Sequence, residues 1–169
     1  MPDKARPGGN GDLHARLVAR LRDQAGDLRR LTSGLDEQAL ATRPVPEDWS
    51  LKELLCHLWR FQEIFEMRIE AMLTETNPPI VPYGPDGDAE FEQKLKSPCT
   101  TLLDGLMADR EELLALLESL PAADWRHRGR HPEYPHYDVQ FAVEYLMHHE
   151  AHHIYQMFQR RPITAKTRV

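Results

Sequence analysis

Residues 138–161 read DVQFAVEYLMHHEAHHIYQMFQRR. No glycine or proline interrupts them, Asp138 is placed to cap the start and Pro162 follows the end, so they predict one long helix that stops at about Arg161. Its centre, His148-His149-Glu150-Ala151-His152-His153, holds two overlapping i,i+4 histidine pairs. At about 100° per residue, with His149 set at zero, Ala142, Tyr145, Leu146, His153, Gln156 and Met157 fall within about 80° of it. His148 and His152 lie about 100° and about 60° to one side. His149 and His153 are therefore the inward pair. Imidazoles one turn apart reach a common cation, but two ligands seldom hold one.

A third ligand has to come from another helix. Pro44-Val45-Pro46 closes a connection, after which Ser50 and Glu53 form a capping box, and Trp49 and Leu54 are placed for a hydrophobic staple. The helix opened there runs to about Leu73. His57 lies mid-way along it, at the edge of the stripe made by Leu54, Leu58, Phe61, Ile64 and Phe65. Bundle cores build metal sites from facing helices in this way. A buried, hydrogen-bonded histidine is a common structural residue, so His57 argues for a ligand only in company with His149 and His153.

Two more helices complete the set. Leu13, Leu17, Leu21, Leu28 and Leu31 recur at helical intervals over residues 11–33, with Gly34 as a left-handed stop and a short helical turn expected at Asp36 to Leu40. Ser97-Pro98 reads as a cap followed by a first-turn proline, and Leu102, Leu103, Leu106, Leu113, Leu117 and Leu120 follow before Pro121. Between these helices, Asn77 to Asp88 holds four prolines and two glycines and is a loop of the kind that covers a site. A polar segment carries His127, His131 and His136. No run alternates as a strand would. The expectation is an all-α chain, a four-helix bundle with long connecting loops, forming one domain over residues 11–169 behind a frayed segment at 1–10. The connections are long enough to cross over, which leaves the helix order open.

Composition narrows the functions. The 169 residues suit one domain, and 41% hydrophobic with 28% charged residues is ordinary for a globular protein. A formal charge of −6 argues against nucleic-acid binding, which needs a concentrated basic surface, and Arg20, Arg22, Arg29 and Arg30 read as a solvated helix face. No apolar run is long enough for a membrane span, and residues 1–10 lack a signal peptide's apolar stretch, so a cytoplasmic protein is expected. The two cysteines, Cys56 and Cys99, have no metal or redox spacing and are expected to be reduced.

Other readings of the histidines bear weighing. His148 and His152 are expected in solvent or at a subunit contact, and His14, His127, His131 and His136 at the surface, with one loop histidine able to close over the site. The string from His149 to His153 also satisfies the His-Glu-x-x-His pattern of zinc proteases. That reading needs a third ligand downstream, and residues 154–169 contain no His, Asp, Glu or Cys. Glu150 could stand near the metal, though its angle of about 100° from His149 also fits the surface.

The run Pro44-Val45-Pro46-Glu47-Asp48-Trp49-Ser50-Leu51-Lys52-Glu53-Leu54-Leu55-Cys56-His57 and the His149 to Gln156 segment together resemble the DinB/YfiT-like superfamily of four-helix metal-binding proteins, its DinB-like branch most of all. The first is similar to that family's Trp-Ser opening of the helix bearing the first histidine, the second to its His-x-x-x-His-x-x-Gln ending. Arg110 in Ala108-Asp109-Arg110-Glu111 also fits. The resemblance spans nearly all of the chain after residue 11 and implies ligands at His57, His149 and His153, the positions chosen by helical phase. Glu150 stands where many relatives have aspartate. Tyr155 stands where sulfoxide-synthase-like members carry an acidic residue, which counts against that iron-dependent activity. Members also include S-transferases and isomerases that use bacillithiol, mycothiol or glutathione.

Three neutral histidines leave coordination positions open, as in a catalytic rather than a structural zinc site. The leading expectation is an ion that activates a small thiol, or water, for attack on a small electrophilic substrate, as a thiol S-transferase does. Glu150, Tyr145 and Gln156 are the catalytic candidates; Tyr145 and Gln156 flank the ligands by phase, and the two long loops shape the pocket. Arg110 would hold an anionic group or pair with an acid on its own helix. The rivals are a metal-binding stress-response protein without catalysis and a metal-dependent hydrolase. Zinc is the first choice of metal and nickel the second, with iron and copper also suited to imidazole. A homodimer through apolar faces of the first and third predicted helices is a further expectation.

Overall fold

The capping signal at Ser50 is realised in full. Ser50 Oγ accepts from the Glu53 N–H at 3.1 Å and the Ser50 N–H donates to Glu53 Oε2 at 2.8 Å, which satisfies two donors that a helix start leaves free. The structure, a computed structural model, describes residues 10–166. Residues 1–9 of the expected frayed segment lie outside the described residues. The elements are α1 (Asn10–Thr32), α2 (Glu37–Ala41), α3 (Leu51–Thr74), α4 (Ala89–Leu95), α5 (Cys99–Ser119) and α6 (Val139–Lys166), with a two-residue ribbon of β1 (Arg128–Gly129) and β2 (Tyr137–Asp138). The four long helices α1, α3, α5 and α6 are the four expected. Gly34, at φ +73°, supplies the left-handed stop after α1.

Two local expectations are corrected. Ser97 does not cap α5: Pro98 stays extended (φ −58°, ψ 151°), and the Cys99 N–H is met instead by Glu37 Oε2 of α2 at 2.8 Å. Helix α6 does not end at Arg161 but runs on to Lys166, because a proline removes one N–H from the ladder without barring the turns beyond it. The loop expected at Asn77 to Asp88 is a loop, and Asp88 at its end caps the short helix α4, its Oδ1 accepting from the Glu90 N–H at 3.0 Å.

The bundle's order follows from which helices touch. Both α1 and α3 pack against α5 and α6, so α1 faces α3, and α5 faces α6, across the diagonals. Its apolar core comes in two parts. Leu17, Leu21, Phe65, Ile69, Leu113, Leu117, Val143 and Leu146 belong to one end, and Leu28, Leu31, Leu54, Leu58, Leu102, Leu106 and Met157 to the other. Helices α1 and α6 run from the first end to the second, and α3 and α5 run back. The parallel neighbours α3 and α5 therefore need a crossover, and α4 supplies it by packing along α3, where Lys94 covers the Trp59 ring at 3.4 Å.

Close approach of α3 and α5 depends on Gly105. A Cβ there would stand 2.3 Å from Trp59 Cζ2, and the indole is held in place because its Nε1–H donates to Asp109 Oδ2 at 2.5 Å. Gly105→Ala is therefore expected to lower stability by about 1–2 kcal/mol, the overpacking outweighing the gain of about 1 kcal/mol in helix propensity. Thermal unfolding checks this, and an unchanged or raised midpoint would show that Trp59 yields freely.

Among the described residues no helix is long and apolar enough to cross a membrane. The apolar stripes of α1 and α5 are used up inside the bundle. Among the described residues the large apolar side chains left exposed are Val45, Met67, Val81, Tyr155 and Phe158, none of them on α1 or α5.

Candidate metal centre

Helix α3 brings His57, 4% exposed, against the half-buried His149 and His153 of α6. Their Nε2 atoms converge: His57 to His149 is 3.2 Å and His149 to His153 is 3.2 Å. Ligands about 2.0–2.1 Å from a tetrahedral ion stand about 3.3 Å apart, so the spacing fits a single small cation. Among the described residues this trio forms the one group of three or more ligating side chains with all ligand atoms within 4.8 Å of one another. Phe61 lies flat on the His149 ring, 3.5 Å between centroids, and Trp49 meets His57 edge-on at 5.1 Å.

Burial keeps these rings neutral. It pushes His57 down to about 4 and His149 down to about 3 from an ordinary 6.5, with the neighbouring imidazoles adding to the effect, and it lowers His153 too. Neutral imidazoles are the form that ligates a metal. The folded, metal-free protein therefore binds fewer protons than the unfolded chain below the ordinary histidine value. Its stability is expected to be complete above about pH 6.5 and to fall between about pH 6.5 and about 3. Urea unfolding of chelator-treated protein across that window, beside a His57→Leu/His149→Leu variant, measures the share due to the pair. Equal slopes for the two proteins would refute it.

Gln156 sets the tautomer of His153. His153 Nδ1–H donates to Gln156 Oε1 at 2.8 Å, which leaves the Nε2 lone pair facing the other rings, and Gln156 Nε2–H donates to His152 Nε2 at 3.2 Å. Nδ1 of His57 and Nδ1 of His149 find no partner among the described residues. With one of three rings fixed in this way, Gln156→Leu is expected to weaken metal binding about 10–100-fold while the fold persists. Competition with a chelating dye reads this, and unaltered affinity would remove Gln156 from the site.

Glu150 is not at the surface. It is fully buried, and both its carboxylate oxygens accept from Arg110, Oε1 from Nη1 at 3.0 Å. Arg110 thus pairs across the bundle and not with an acid on its own helix. It also donates to Gln62 Oε1 at 2.6 Å and to the Leu21 carbonyl at 2.7 Å, so one guanidinium ties all four long helices. The signal for this was present in the sequence: Arg110 sits in phase with Leu106, Leu113 and Leu114, as Gln62 does with Leu58 and Phe65.

Tyr145 lies beside the centre, its ring 6.1 Å from Phe61, and forms part of a groove of about 410 Å³ lined by Phe141, Glu144, Tyr145, His148, His149 and His152. The loops on either side of the ribbon meet where the Ile80 N–H donates to the Arg130 carbonyl at 2.8 Å. They contribute Tyr83, His131 and Tyr134 to a smaller niche against Phe61 and Tyr145. No loop histidine joins the centre: His131 stacks on Tyr137, His127 bonds the Met72 carbonyl and His136 meets Arg128. His14 is buried rather than exposed, lying flat on Trp125 at 4.0 Å. The turn at Asp124–Arg126 brings that indole from a part of the chain that α1's periodicity cannot report.

The sequence model of the DinB superfamily matches residues 20–157. The chain belongs to the DinB superfamily. This DinB-superfamily chain is 29% identical over 140 residues to YuaE of Bacillus subtilis, covering 73% of this chain and 84% of that one. It is 26% identical over 136 residues to a Bacillus mycoides protein named "Putative metal-dependent hydrolase", covering 80% and 78%. Among solved structures, this DinB-superfamily fold matches YfiT from Bacillus subtilis with a TM-score of 0.80 at 19% identity, over 98% of this chain and 93% of that one. YfiT is described as "a probable metal-dependent hydrolase with an unusual four-helix bundle topology". The parallel pairing of α3 with α5 is such a departure from a simple up-and-down bundle.

Proposed function

We propose that this protein is a metal-dependent hydrolase of small molecules whose ion is held by His57, His149 and His153. The observation that carries the reading is the convergence of three neutral Nε2 atoms, His57 to His149 and His149 to His153 each 3.2 Å, at a ring, His149, that also lines an open groove. A divalent ion bound by three imidazoles keeps positions open and supplies Lewis acidity and an activated nucleophile. Zinc is the first candidate, with nickel and iron also suited to an all-imidazole set.

The protein's own groups do the rest. Phe61 and Trp49 keep the rings in place and exclude water from their backs. Gln156 holds His153 in its ligating tautomer. Phe141 and Tyr145 give the groove apolar walls suited to the body of a small substrate. Glu150, the base that a His-Glu-x-x-His enzyme would use, is held by Arg110 and serves the fold. That engagement favours a second reading, in which the nucleophile is a low-molecular-weight thiol: a thiolate needs no carboxylate base once a cation lowers its pKa. Two buried free thiols, Cys56 and Cys99, fit a reducing cytoplasm as the place of work.

The test is a panel of small amides, esters and alkylating electrophiles, given to zinc- or nickel-loaded protein with and without added thiol, and analysed by product mass. Metal-dependent hydrolysis without thiol supports the first reading, and a thioether or thioester product supports the second. No turnover across the panel, with metal bound, would point to a metal-holding protein without catalysis.

A further inference from the structure

Helix α6 carries a second i,i+4 histidine pair, His148 and His152, which the centre above does not use. Both are exposed and both line the groove of about 410 Å³. His148 makes no hydrogen bond to the described residues, and His152 has only the weak acceptance from Gln156 at 3.2 Å. One turn further toward the start of α6, Glu144 lines the same groove, and its Oε1 is engaged only by the neutral Gln140 amide at 3.0 Å. Glu144, His148 and His152 thus stand at i, i+4 and i+8 on one helix face.

We propose that His148 and His152, with Glu144 as a third ligand, form a second and weaker site for a divalent cation of the zinc, nickel and copper class. Side chains four residues apart on a helix are neighbours, and two imidazoles with a carboxylate are a donor set that such ions accept. Only the inner trio has its ligand atoms already gathered. The outer three have to turn about their side-chain bonds, which exposure permits, and that ordering cost makes their site the weaker one.

Occupancy there has a consequence for the inner centre. Coordination through His152 Nε2 takes away the acceptor of Gln156 Nε2–H, and Gln156 is the residue that holds His153. An ion in the outer site also stands in the groove from which His149 is reached. The outer site exists whether or not the inner one binds metal, while this coupling rests on the proposed inner centre.

Equilibrium dialysis of untagged protein against nickel, with elemental analysis, tests it. Wild-type protein is expected to bind two ions per chain in separable tight and weak phases. His148→Ala, at an exposed position, loses the weak phase and keeps the tight one; His57→Ala, or His149→Ala should the first not fold, loses the tight phase and keeps the weak one. A His148→Ala variant that binds as much nickel as wild type overturns the proposal, and so does a folded His57→Ala variant that binds none. A wild-type protein with one ion that His148→Ala abolishes would uphold the outer site and refute the inner.

Discussion

Arg110→Met is expected to cost about 3–5 kcal/mol of folding stability, the penalty for leaving a buried charge without its partner. Glu150 would keep a carboxylate with 0% exposure and lose both of its donors, and Gln62 Oε1 and the Leu21 carbonyl would lose theirs. Against a total of about 5–15 kcal/mol for a typical domain, such a loss leaves a protein that is partly unfolded or close to it. The companion variant Arg110→Met/Glu150→Leu should recover most of the loss, since a buried ion pair replaced by apolar side chains is often neutral or better. Urea unfolding of the two variants decides the matter. A loss below about 1 kcal/mol for the single variant would mean that water or a rearranged Gln62 takes over the role of Arg110.

The polar layer explains why a fold would keep such a group. Gln24, Gln62, Arg110 and Glu150 are all buried, one on each long helix, and each stands where that helix passes from one apolar cluster to the other. Gln24 Nε2–H donates to the Met147 carbonyl at 3.0 Å, adding a link from α1 to α6. Leucine-rich stripes pack in several registers with similar energy, whereas a layer of matched donors and acceptors is satisfied in one. By fixing α6 at Glu150, the layer also fixes the neighbouring His149.

His149→Ala is expected to abolish metal binding at the inner centre. The His149 Nε2 is 3.2 Å from both others, and its loss leaves two imidazoles, a set that seldom holds an ion by itself. The metal-free fold should survive, because the side chain removed is one whose charged form burial already disfavours. Circular dichroism for the fold and elemental analysis for the metal separate the two effects. Undiminished tight binding in the folded variant would show that the ion sits elsewhere, and every mechanistic step assigned to the groove would then fall with it.

Much of this was legible in the linear sequence, because helical periodicity and capping are local. Leu13 to Leu31, the Ser50–Glu53 box and the uninterrupted run from Asp138 specify three of the long helices by interactions within a few residues, and the leucines from Leu102 to Leu117 specify the fourth. The inward placement of His149 and His153 follows from the same 3.6-residue period, and their convergence with His57 was within reach once a second apolar stripe with a histidine at its edge was found. What the helices do to one another was not legible. Diagonal placement of α5 against α6, the crossover through α4, the partner of Arg110 and the burial of His14 under Trp125 all join residues that are distant in the chain. Periodicity states which face of a helix turns inward; only the packing of four such faces decides which residue each meets there, since that choice depends on shape and on the pairing of buried polar groups across the whole core.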